Sequence, residues 1–141
     1  MNKKQTAKIA KSVILGKNKP TLILRFLCWF TIIWDGVLML YFMGSGLVFW
    51  ISKVSFEDHP LLHGFTKEYC FTLAIIHFIS LFAAILMYRL KKNGFYIYIV
   101  ANISLVVAPF YYLESIQVDY IVVVFTLAMI GLFASQFKKL S

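Results

Sequence analysis

The chain has 141 residues, of which 61% are hydrophobic, 18% aromatic and only 14% charged, with a mean hydropathy of +0.80. That is too apolar for a water-soluble domain of this length, and it fits one small all-α membrane domain. The formal charge of +8 does not point to nucleic acid, because the basic residues flank apolar runs and line no polar surface with aromatics among them.

Residues 1–20 hold Lys3, Lys4, Lys8, Lys11, Lys17 and Lys19, with Ile9, Ala10, Val13 and Ile14 on one side of any helix drawn through them. This reads as a basic cytoplasmic arm, amphipathic or disordered, in which Lys3, Lys4, Lys8 and Lys11 meet an anionic membrane surface. The first predicted span, about 22–51, follows the break marked by Gly16 and Pro20. At about 1.5 Å per residue it crosses a bilayer core of about 30 Å with length to spare. Gly44 and Gly46 near its far end offer bare backbone for close helix packing.

Residues 52–68 form the longest polar connection. Its Glu57, Asp58, His59, His63 and Glu68 are of metal-ligating types, but Pro60 pushes His59 out of the α region, so the two histidines do not share a helical face. An ordinary solvated loop is expected, with no metal. The second span, about 69–88, gathers Cys70, Ala74, His77, Ser80 and Ala84 at spacings of three and four, which puts them on one stripe. A short basic link leads to the third span, about 95–113, which carries Asn102 and a kink expected at Pro109. The fourth, about 120–137, has no ionisable residue inside it. Its small residues Ala128, Gly131 and Ser135 suit it to packing. Cys28 and Cys70 stand apart, with no paired spacing, and read as small buried side chains.

Four spans bring both ends to one side. The arm with Arg25, the link after the second span and the tail hold seven, three and two Lys and Arg, against only Lys53 and Lys67 in the other loops. By the positive-inside rule both termini are cytoplasmic, in a bacterial-type inner membrane. The expected arrangement is an antiparallel bundle of four transmembrane helices.

One acid lies within the apolar runs, Asp35. An acid at the centre of a membrane helix costs roughly 2.5 to 3.5 kcal/mol on the insertion scale, so it must find a partner, water or a proton. Counted from the cytoplasmic ends, Asp35, His77 and Asn102 lie at similar depths, roughly 10 to 17 Å in. They can form one polar cluster, with Thr31 on the Asp35 face and Ser80 on the His77 stripe completing its hydrogen bonds.

The sequence holds no nucleophile elbow, no H-E-x-x-H, no P-loop and no dinucleotide fingerprint, so no enzyme and no cofactor is expected. The leading expectation is a non-enzymatic inner-membrane accessory or stabilising subunit of a larger membrane complex, whose partners are the bilayer and another integral membrane protein or a second copy. The alternative is a small oligomeric proton-coupled transporter with Asp35 as its coupling site and His77 beside it.

Overall fold

A computed structural model describes residues 20–52, 65–112 and 120–140. All regular structure among them is helical: α1 (Leu22–Ser52), α2 (Lys67–Tyr88), α3 (Lys92–Tyr112) and α4 (Tyr120–Ser135), followed by a 3₁₀ turn at Phe137–Lys139. The first three, of 31, 22 and 21 residues, are long and apolar enough to cross a membrane. The fourth, with 16 residues, is about 24 Å long, less than a bilayer core. The basic arm, the polar connection with His59 and His63, and the link carrying Glu114 and Asp119 lie outside the described residues.

The chain packs in order, α1 on α2, α2 on α3 and, more lightly, α3 on α4. α2 is the central helix: 50% of its most apolar stretch is buried, against 28% for α1 and α3. Exposed faces are as apolar as the core, with Trp29, Ile33, Val37 and Leu40 turned outward from α1 while Thr31 and Asp35 turn inward. That is the reverse of a helix facing water.

Local chemistry sets the ends. Thr21 caps α1 by accepting from the Leu24 amide at 3.2 Å, and its hydroxyl donates to Gln136 Oε1 at 2.9 Å, tying the start of α1 to the end of α4. Thr66 caps α2 in the same way through the Tyr69 amide. α2 closes in a Schellman turn, Leu90 N–H donating to Met87 O at 2.8 Å and Lys91 N–H to Leu86 O at 3.0 Å. The left-handed residue of that turn is Leu90, with φ 61°, where glycine is usual. The conformation costs about 1–2 kcal/mol, and the Leu90 side chain offsets it by packing into the core with Met87 and Phe95.

Two apolar clusters form the interior. One joins Leu24, Leu27 and Cys28 to Met87, Phe95, Tyr98, Met129 and Phe133. The other joins Tyr69, Leu73 and Ile76 to Ala101 and Ala108, with Phe42 and Phe65 against them. α3 runs on three residues past Pro109 before it ends. Cys28 and Cys70 are both free and fully buried.

Of the described glycines Gly94 is the most tightly enclosed, since an added Cβ would meet Ala83 O at 2.7 Å and Leu86 Cβ and Met87 N at 2.8 Å. Gly131 has open space instead. Gly94→Ala is therefore expected to destabilise the fold by about 1–3 kcal/mol. Gly131→Ala should shift it by less than about 1 kcal/mol, in the stabilising direction. Reversible unfolding in mixed micelles measures both.

Candidate functional site

Between the two apolar clusters lies a layer of buried polar side chains, at least one from each helix. Thr31 and Asp35 come from α1, His77 and Ser80 from α2, Asn102 from α3 and Thr126 from α4. Most point inward because neighbours one turn away on the same helix belong to the apolar clusters, as Leu27 and Cys28 do before Thr31, Leu73 before His77 and Ile76 before Ser80.

The centre of the layer is an ion pair or hydrogen bond between α1 and α2, with His77 Nδ1 3.0 Å from Asp35 Oδ1. With the carboxyl ionised, Nδ1–H donates. The residues are only 5% and 6% exposed. Phe42 stacks on the imidazole, ring centroids 5.8 Å apart and planes 8° from parallel, which fixes the orientation of the His77 ring. The second carboxyl oxygen, Asp35 Oδ2, is buried without a hydrogen-bond partner, and so is Thr31 Oγ1. The Tyr98 phenol stands beside Thr31, Asn102 and Asp35 but falls short of good hydrogen-bond geometry to Thr31. Asn102 turns its amide back on its own helix, Nδ2 donating to Tyr98 O at 2.9 Å. Ser80 is buried at the same level, with no hydrogen bond to the pair. Thr31, Asn102 and Ser80 thus surround the pair without completing its hydrogen bonds.

Asp35 and Thr31, whose Oδ2 and Oγ1 are unpartnered, are among the residues that line a cavity of about 700 Å³ bounded by all four helices. Asp35, His77, Tyr98, Asn102 and Thr126 give it a polar patch, and the remainder of its wall is apolar, with Phe30, Trp34, Phe42, Phe110 and Phe125 prominent. Its size and lining are those of small-molecule sites, which run from about 300 to 1,000 Å³. Among the described residues no group of three His, Cys, Asp or Glu is placed to hold a metal.

Tyr98 and Thr126 belong to this layer and were not singled out by sequence pattern. A signal for each exists: Tyr98 precedes Asn102 by one helical turn, and Thr126 is the only polar residue between Tyr120 and Ser135. The residues expected to pack helices divide. Gly46 is buried under the Phe71 ring, 3.2 Å from where a Cβ would be, whereas Gly44 has open space. Ala128, Gly131 and Ser135 all face outward from α4. Lys3, Lys4, Lys8 and Lys11 lie outside the described residues. Comparison of the chain with known protein families, curated proteins and solved structures finds no match.

Removing His77 leaves the buried Asp35 carboxyl without its partner, whereas replacing both residues by apolar groups does not. His77→Ala is therefore expected to lower stability by on the order of 3 kcal/mol, and the double variant Asp35→Leu with His77→Leu should be more stable than it. Unfolding midpoints of the purified variants in one detergent decide the order.

Proposed function

We propose that the chain is a non-enzymatic, multi-pass membrane protein, both termini cytoplasmic, that acts as a small proton-coupled transporter with Asp35 as its coupling site. One observation carries this reading: Asp35, a buried carboxyl residue with one oxygen unpartnered, lines a cavity of ligand size. The other oxygen is engaged by His77, so one position remains at which the carboxylate takes a proton or a substrate cation. Occupancy by either excludes the other, which is the elementary requirement for exchanging protons against a cationic substrate. The groups facing Asp35 are His77 from α2 and Tyr98 from α3, while α4 supplies Thr126, which carries no charge.

The transport reading is tested in proteoliposomes holding a pH-sensitive dye under an imposed proton gradient. Adding cationic substrates outside is expected to move protons through the wild type, and Asp35→Asn to abolish the response. Equal traces from the two proteins remove Asp35 from the coupling step.

A second reading, an accessory subunit of a larger membrane complex, is favoured by the outward strip of Ala128, Gly131 and Ser135 on α4. No atom comes within 4 Å of a Cβ placed at Gly131, and small residues of this kind let helices approach closely in lipid. Under this reading the wild type extracted in mild detergent migrates with a partner, and Gly131→Leu releases it. A wild-type chain that runs alone as a monomer rules the subunit role out.

A further inference from the structure

Two residues on one face of α1 line the cavity, and each carries a buried oxygen without a good partner. Thr31 and Asp35 are separated by one helical turn, which places their Cβ atoms about 5–6 Å apart, and both line the same space. Asp35 Oδ2 has no hydrogen-bond partner, and Thr31 Oγ1 has none of good geometry although the Tyr98 phenol stands beside it, at residue exposures of 6% and 3%. An unsatisfied buried carboxylate oxygen is among the more expensive features a fold can carry, so the site calls for a group that brings donors and positive charge together.

An ammonium group does this: it carries one positive charge, several N–H donors and no acceptor. With Asp35 ionised and His77 acting as a neutral donor, the pair carries a single negative charge, and among the described residues no Lys or Arg lines the cavity to neutralise it. Phe30, Trp34, Phe42 and Phe110 offer ring faces to a cation and an apolar surface to the body attached to it. Water alone suits the space poorly, because most of its wall has no polar group to bond.

The wall between α1 and α4 differs from the others. It consists of rings: Phe125 lies 6.4 Å from Phe30 and 6.3 Å from Trp34, centroid to centroid, and all three are exposed on their outer side, Trp34 by half. α1 against α2 is instead closed by the tight contact of Phe71 on Gly46, and α2 against α3 by that at Gly94. Side-chain rotation can open the first wall without moving a helix.

We propose that the cavity binds an apolar amine in its ammonium form, the N–H groups donating to Asp35 Oδ2 and Thr31 Oγ1 and the body reaching the site past Phe30, Trp34 and Phe125. This rests on the reading of Asp35 as the site of a small molecule, and it names that molecule's class.

The test uses the full chain in mild detergent and three probes of matched body: 4-phenylbutylamine, its N,N,N-trimethyl derivative, and 4-phenylbutanol. Binding is followed by calorimetry and by Trp fluorescence, since Trp34 is in the wall. The primary amine is expected to bind, and the trimethyl derivative to bind roughly ten-fold more weakly, because it keeps the charge and loses the N–H donors. The alcohol should bind more weakly than either. Asp35→Asn should lower amine affinity by roughly ten-fold or more. Thr31→Val, nearly the same shape and far less disruptive to folding, should lower amine affinity several-fold and leave the trimethyl derivative unaffected. No amine binding by the folded wild type overturns the proposal. Equal affinity for amine and trimethyl derivative overturns the N–H assignment, and equal affinity for amine and alcohol overturns the role of charge. Amine binding with no proton movement in the gradient assay supports this proposal while removing the transport reading, so the two fail separately.

Discussion

The hydrogen bond between His77 Nδ1 and Asp35 Oδ1 is the constraint around which the other helices are arranged. It joins α1 to α2 where both residues are almost fully buried, and a bare carboxylate there would be costly. The apolar clusters on either side give it a dry environment, which strengthens the bond and equally raises the penalty for breaking it. α2 is the central helix partly for this reason. It supplies the imidazole on one side and must still accept α3 on the other, so nearly all its small residues, Cys70, Ala74, Ser80, Ala83 and Ala84, are buried.

Packing quality is uneven around this centre, and the unevenness has a consequence. α1, α2 and α3 meet at positions where no side chain, or only an aromatic face, fits between them, as at Gly94 and Gly46. α4 instead meets α3 through a few large groups, Met129 and Phe133 against Tyr98, and meets α1 through aromatic rings. Three helices thus form a close-packed unit that holds the Asp35–His77 pair, and the fourth closes a cavity over the oxygen that the pair leaves open. A fold with its polar layer sealed on three sides and ringed by movable side chains on the fourth is arranged more like a site than like a core.

Asp35, His77 and Asn102 are legible in the sequence as one level because depth in a helix, counted from its charged end, is simply about 1.5 Å per residue. That count needs no knowledge of rotation about the helix axis. Hydrogen-bond partners do need it, and here the reading ran ahead of what patterns support. These helices are apolar all round, so no hydrophobic stripe reports which way each is turned. Asn102 was assigned to the pair, but its amide found the Tyr98 carbonyl one turn back, an option open to any short polar side chain on a helix. Tyr98 and Thr126 escaped notice because a tyrosine near a helix end reads as an interface anchor and a threonine near the middle of an apolar run reads as nothing. On α4 the spacing of Ala128, Gly131 and Ser135 says only that these residues share a face. Packing by Thr126, Met129 and Phe133 decides that this face is the outer one.

The open oxygen also separates fastening from function as explanations for Asp35. If the task were only to pin α1 to α2, an asparagine would do it with an amide that needs no charge, and membrane helices use such residues for that purpose at about 0.6 to 2 kcal/mol per bond. A carboxylate brings a second oxygen that also has to be satisfied, and Thr31, Ser80, Asn102 and Thr126 are all buried in the same layer without doing so. The expensive choice of group, with one oxygen unpartnered on a residue that lines a space large enough for a ligand, makes physical sense when the missing partner is something that arrives and leaves.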